Sequence, residues 1–187
     1  MARPRDPQKA TTILTQAVEV VAQQGVTAST STIARKAGVA EGTLFRYFPT
    51  KDDLLNALYV HLAGEARAHI TSRPGQGARQ NLRQAWDDYI AWGLGNLHAS
   101  SAMRQIAASN RLTDSTRQTV DNLFPEFITL GATREGQKPS ADEAAFFDAA
   151  FMALADIVIS HQHANPGNTT WRDKAFTMLL AVLPGPA

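Results

Sequence analysis

The 187-residue chain has no cysteine. That excludes disulfides, zinc–thiolate sites and a thiol nucleophile, and it fits a reducing cytosol. No uninterrupted apolar run approaches the roughly 18 residues that would span a bilayer. The opening MARPRDPQK is charged and lacks the apolar core of a signal peptide. A cytoplasmic, soluble protein without membrane contact is the expectation. Alternating β-branched segments are also missing, so strands are not expected. There is no G-x-S-x-G elbow, Walker loop or dinucleotide fingerprint. No nucleophile–base pair or metal constellation stands out by spacing, so neither an enzyme nor a cofactor is expected. His161-Gln162-His163 does not make a metal site, because i,i+2 side chains point apart on a helix. Asp87-Asp88 diverge for a similar reason and read as a solvated face.

Net charge is small, +1, but unevenly spread. Residues 1–51 carry seven basic side chains against three acidic ones, and the remainder carries eleven against fourteen. A basic head on an acidic body points to a head that meets a polyanion.

What is present is helical periodicity almost throughout. Ile13, Ala17, Val20 and Val21 share one face of a helix that ends near Gly25. Ser29 or Thr30 caps a second helix, with Ile33, Ala34 and Ala37 as its apolar residues. Gly38 supplies a turn, and a third helix runs from about Ala40 to before Pro49. Thr50 then caps a long helix from Lys51 to about Thr71, with Leu54, Leu55, Leu58, Leu62 and Ala66 inside. SRPGQGAR at 72–79 is a loop. Helices are expected over about 80–97, 102–110 and 114–130, the last ended or kinked by Pro125. After a polar loop at 131–139, Ser140 and Glu143 form a capping box opening a helix over 141–163. A turn at Asn165-Pro166-Gly167 precedes a helix over 170–183. The fold class expected is all-α: an N-terminal three-helix head, residues 1–50, and a helical domain, residues 51–187, for ligand binding and dimerisation. The last two helices are apolar on most sides, which suits pairing with their copies in a homodimer as well as burial in one subunit.

The stretch from Ser29 to Lys51, STSTIARKAGVAEGTLFRYFPTK, has the parts of a helix-turn-helix. Ile33, Ala34 and Ala37 can pack against Leu44 and Phe48, and Gly38 makes the turn. Ala40, Glu41, Gly42 and Thr43 then project outward and are mostly short, which lets the backbone sit deep in a major groove. Thr43 can bond a base edge or give its methyl to thymine, and Arg46 reaches guanine or phosphate. Thr50 and Lys51 lie where a helix N-terminus with free amides suits phosphate. Ser29 and Thr30, at the start of the first helix of the pair, complete the set assigned to DNA. By spacing alone, a plain αα-hairpin remains the alternative.

The residues Ile33, Ala34, Ala37, Gly38, Val39, Gly42, Thr43, Leu44, Arg46, Tyr47, Phe48, Lys51 and Leu54 resemble the signature of TetR-family repressors, IA-x-x-AGV-x-x-GTLYRYF-x-x-K-x-x-L. Phe45 stands where the family has a tyrosine that bonds phosphate, so that role passes to Tyr47 and Lys51. The resemblance implies a transcriptional repressor that binds double-stranded operator DNA as a homodimer and releases it when a small-molecule inducer binds. Further stretches, among them LYVHL, DYIAWGL, AMRQIAAS and LFPEF, are similar to a multidrug-responsive branch of that family. That branch holds planar, often cationic compounds on a phenylalanine with an aspartate one helical turn earlier. The corresponding residues here are Phe151 and Asp148, with Tyr59 and Trp86 completing an aromatic box. Ala63 and Gly131 replace bulkier or reactive residues of that pocket. Read without the resemblance, Phe151, Trp86 and Tyr59 are core aromatics.

Overall fold

A computed structural model describes residues 6–71, 77–124 and 140–182. Among them the chain forms nine α-helices and no strand, as the periodicity requires. They are α1 (Pro7–Gln24), α2 (Thr30–Lys36), α3 (Glu41–Tyr47), α4 (Lys51–His69), α5 (Ala78–Gly95), α6 (Leu97–Ala107), α7 (Asp114–Leu123), α8 (Ala141–Ala164) and α9 (Thr170–Val182). The expected loop at 131–139, the end of the last helix at residue 183 and Gly131 lie outside the described residues.

Local chemistry accounts for the helix ends. Asp6 caps α1 by accepting the Gln8 N–H at 3.0 Å, and Pro7 occupies the first turn, where its missing N–H costs nothing. At the end of α2, the Val39 N–H donates to Ala34 O and the Gly38 N–H to Arg35 O. This pair of bonds forms a Schellman motif, and it needs the left-handed conformation that Gly38 takes at φ 66°. The capping box expected at α8 forms: Ser140 Oγ accepts from Glu143 N, and Glu143 Oε2 accepts from Ser140 N at 2.8 Å.

One boundary differs from expectation. A helix was expected only from about residue 102, but α6 begins at Leu97, one residue after α5. The break is made by Asn96 alone, at φ −137° and ψ 57°, and its side chain bonds back to Trp92 O. The helix that starts at Asp114 stops at Leu123, just ahead of Pro125, where a proline end or kink was expected; its expected course over 125–130 lies outside the described residues.

The chain divides into two compact units: residues 1–63 with 98–117, and residues 64–97 with 118–187. In the first unit α1 packs on α2 and α2 on α3. Ile13, Ala17, Val20 and Val21 of α1, Ile33 and Ala34 of α2, and Leu44 of α3 are buried there, as are Leu54, Leu55, Leu58 and Leu62 of α4. Gln105 of α6 donates to Ala22 O at 3.1 Å, tying α6 to α1. In the second unit α8 packs on α9 and α5. The units divide within α4, after Ala63; the functional division expected at residue 50 is carried below as a proposal. Ala145–Ala164 in α8 is long and apolar enough to cross a membrane by length and composition. It carries Asp148 and Asp156, however, and buries Phe147, Phe151, Ala155, Val158 and Ile159.

Candidate nucleic-acid interface and aromatic site

The helix pair α2–α3 holds its inner face shut with Ile33, Ala34, Leu44 and Phe48, all buried. Its outer face carries most of the residues assigned to DNA. Ser29, Ala40, Glu41, Gly42 and Arg46 are exposed, and Thr30, Thr43 and Tyr47 are half-buried. The hydroxyl of Ser29 is committed to structure, because it accepts the Thr32 N–H at 3.1 Å as the cap of α2. Phe45 is exposed as well, at 39% of its surface, an apolar side chain where a phosphate-bonding hydroxyl was missed.

Three features of this face were not legible in the spacing. Thr30 Oγ1 donates to Glu41 Oε1 at 2.6 Å, joining the start of α2 to the start of α3. The Tyr47 hydroxyl accepts the Asp6 N–H at 3.0 Å, which fixes the ring from the N-terminal side and leaves the phenolic proton available to a phosphate. Gly42 is the third. A Cβ added there meets nothing within 4 Å, so neither strain nor crowding inside the chain requires glycine in this helix.

The start of α4 corrects one expectation. Thr50 was read with its amide free for phosphate. Instead Asp53 Oδ2 accepts both the Thr50 N–H at 2.9 Å and the Thr50 hydroxyl at 2.8 Å, while Asp53 N–H returns a bond to Thr50 Oγ1. Thr50 caps α4 as expected; the reciprocal bond from its amide to Asp53, the capping-box arrangement visible in TKDD, was not foreseen. Lys51 is half-buried beside this cap. Burial pushes its ammonium below the usual lysine range, and the nearby Arg111 cation pushes in the same direction, against the pull of Asp52. Arg111 Nη1 meets Asp52 Oδ1 at 2.6 Å. Asn56, buried in α4, donates through Nδ2 to Asp52 O and to Arg111 O, and accepts the Thr113 N–H through Oδ1 at 3.0 Å. A polar residue between Leu55 and Leu58 on the inner face of α4 is the sequence signal for that anchor.

In the second unit, Trp86 and Phe151 do come together, as an edge-on pair with ring centroids 5.3 Å apart. They are part of a larger aromatic cluster. Tyr89 packs edge-on against Phe151 at 5.2 Å, Phe147 lies 6.5 Å from Phe151, and Phe176 lies 6.4 Å from Trp86. Trp86 and Tyr89 stand i,i+3 on α5, so the spacing could have placed Tyr89 in the set. Trp86 is fully buried and its Nε1–H bonds Arg172 O. Asp148 is exposed on α8, one turn before Phe151, and is not a buried carboxylate. Tyr59 is buried in α4 and belongs to the first unit.

Polar groups border the cluster. Arg83 lies over the Phe176 ring at 5.1 Å and bonds Asp87 and Asp173 at 2.7 and 2.6 Å. Those bonds, that to Asp87 first, raise its already high pKa. Arg172 Nη1 stands 3.7 Å from Asp87 Oδ1, an ion pair too long for a hydrogen bond. Asp88 turns the other way and accepts the Thr71 N–H and hydroxyl, each at 2.8 Å. The two aspartates therefore diverge as expected, but both are half-buried and bonded, not a solvated face. His161 stacks on Trp171 at 3.7 Å.

Comparison with known proteins places the head. Residues 13–58 match the family described as "Bacterial regulatory proteins, tetR family". The chain is 44% identical over 54 residues to the "Fatty acid metabolism regulator protein" of Bacillus subtilis (strain 168), a stretch that is 28% of this chain and 28% of that protein. The likeness to this curated relative thus spans little more than a quarter of its length. A TetR-family transcription regulator from Shewanella sp. PV-4 superposes with a TM-score of 0.78 at 23% identity, covering 95% of this chain and 99% of that one. The transcriptional regulator FadR of Bacillus subtilis, solved in complex with stearoyl-CoA, superposes at 0.59 with 19% identity, over 95% and 99% of the two chains. The family and these relatives are regulators of transcription, not enzymes.

Proposed function

We propose that this chain, a TetR-family transcriptional regulator by its head and by its fold, is a repressor that holds operator DNA as a homodimer and releases it when a small, planar, often cationic compound binds. The reading adds control of multidrug efflux as the role, by the resemblance of several stretches to RamR, a multidrug-responsive member of the family. The observation that carries the DNA-binding part is the helix pair α2–α3. Its apolar side is buried, and Glu41, Gly42, Arg46 and Phe45 are turned to solvent, ready for a groove. Residues 1–50 act as the DNA-binding domain, and 51–187 as the ligand-binding and dimerisation domain. Phe146 on α8 and Met178 on α9 are more than half exposed, and Ile157 and Trp171 on the same two helices are nearly so. Apolar side chains of that size on neighbouring helices support α8 and α9 as the face that meets a second copy.

The ligand is held against Trp86 and Phe151, with Asp148 one turn away supplying negative charge; Tyr59, the fourth residue of the expected set, belongs to the other unit. Since α4 begins at the proposed phosphate contact of Lys51, a ligand that favours a displaced α4 changes the spacing of the two heads. Only a ligand that binds the non-operator spacing more tightly has this effect.

A second reading keeps the DNA-binding part and changes the effector: a regulator of a metabolic or transport gene that responds to an acyl-type, anionic ligand. The likeness to a regulator solved with stearoyl-CoA favours it. One experiment separates the two. DNA upstream of the gene is titrated with the full chain in a mobility-shift assay, alone, with a planar acridinium dye, and with a long-chain acyl-CoA. Release by the dye, blunted in Phe151→Leu, supports the first reading. Release by the acyl-CoA alone replaces it with the second. No selective shift on any DNA overturns both.

A further inference from the structure

On the reading of α2–α3 as a DNA reader, we infer that Glu41 is a specificity-determining residue that selects a base bearing an exocyclic amine, above all cytosine, at one position of each half-site, and that Thr30 holds its carboxylate in the reading position.

Glu41 is the first residue of α3 and is exposed. A carboxylate on a face that approaches DNA is repelled by the phosphates and finds no partner among the acceptors that line most of the major groove. Guanine offers N7 and O6, and thymine offers O4, all acceptors. Only the amines of cytosine and adenine donate. Adenine also presents its N7 acceptor beside that amine, which a carboxylate cannot satisfy, so cytosine is the better match. Glu41 therefore works by exclusion as well as by attraction: a wrong base leaves a desolvated charge without a donor.

Exclusion of this kind needs a side chain that cannot swing away to solvent. The 2.6 Å bond from Thr30 Oγ1 to Glu41 Oε1 provides that restraint. It engages one carboxylate oxygen and leaves Oε2 for the base. Thr30 is itself held, because Ser29 caps α2 immediately before it. The neighbours do not crowd the carboxylate: Ala40 is small and exposed, and Gly42 has no side chain. The alternative role for an acid at this place is structural, since a negative charge in the first turn favours any helix. That role predicts a change in stability and no change in base preference.

The test is selection of binding sites from a randomised double-stranded DNA pool with the full chain, its Glu41→Ala and Glu41→Gln variants, and Thr30→Val. Wild type should select sites with cytosine fixed at one position per half-site. Replacing that cytosine should weaken binding on the order of tenfold to a hundredfold. Glu41→Ala should lose the preference at that position alone, with no loss of affinity for sites lacking the cytosine. Glu41→Gln, which both donates and accepts, should move the preference towards adenine. Thr30→Val should weaken the preference without changing the base. If wild type selects sites and the preferred bases are the same for Glu41→Ala and Glu41→Gln, the inference is wrong while the DNA-reading head stands. If wild type selects no sequence at all, the DNA-reading head itself is wrong.

Discussion

Replacing Gly42 by alanine should strengthen the protein and weaken its function. Glycine inside a helix costs roughly 0.5–1 kcal/mol relative to alanine, through the backbone entropy it loses on folding. Gly42 lies within α3, and a Cβ built on it meets nothing within 4 Å. It is not one of the residues with positive φ among those described, which are Gly25, Gly38, Gly167 and Asn110. Nothing inside the chain therefore offsets the gain, and Gly42→Ala should raise unfolding stability by about 0.5–1 kcal/mol. For a protein of this size that corresponds to an increase of a few degrees in Tm. The same methyl projects from the exposed side of α3, where the proposal places the groove. DNA affinity should then fall, because the backbone is held off by roughly the width of a methyl group. The assay is a thermal melt followed by circular dichroism, at fixed protein concentration, beside a mobility shift on the selected DNA. A variant that melts lower, or one that melts higher and binds DNA as tightly as wild type, would refute the reasoning.

Lys51→Ala should weaken binding to all DNA sequences alike and reduce the slope of log affinity against log salt by about 0.9, the loss of one phosphate contact; an unchanged slope would remove Lys51 from the contact. Asn56→Ala should destabilise the first unit by about 2–4 kcal/mol in urea denaturation, since it strands the Thr113 N–H and the Arg111 carbonyl that the buried amide now satisfies; a loss under about 0.5 kcal/mol, the scatter of an ordinary surface change, would show that water replaces it. Glu19 is held below its ordinary value of 4.5, first by its hydrogen bond to Lys36 and then by that charge. A depressed carboxylate contributes stability that is present above its unfolded value and lost as pH falls through the folded one. Lys36→Met should therefore lower Tm above pH 4.5 and converge on wild type in acid; a difference that persists in acid would assign the effect to packing.

The helix inventory was legible because periodicity and caps act locally. The buried faces of α1 and α4, the Gly38 turn and the Ser140–Glu143 box follow from residues within one or two turns of each other. The start of α6 was missed although Gly93 and Gly95 precede the break, because Asn96 interrupts the helix for a single residue and leaves no loop to mark it. The exposed face of α2–α3 was legible, and its wiring less so. Glu41 and Thr30 were both assigned to DNA, but their bond joins residues eleven apart on different helices, which no spacing rule reports. Thr50 was misread because its partner Asp53 competes with phosphate for the same amide. Asp148 was placed by analogy with a family pocket. Its exposure is set by how α8 packs, which periodicity cannot resolve on a helix apolar nearly all round.

The central claim is that Ser29 to Lys51 reads operator DNA. Its most direct test is equilibrium binding of the full chain to a selected site and to a scrambled one across a salt series. The account predicts affinity for the selected site at least about a thousandfold above the scrambled one at physiological salt, with both falling steeply as salt rises. Equal, weak binding to the two sequences at every salt concentration would contradict it.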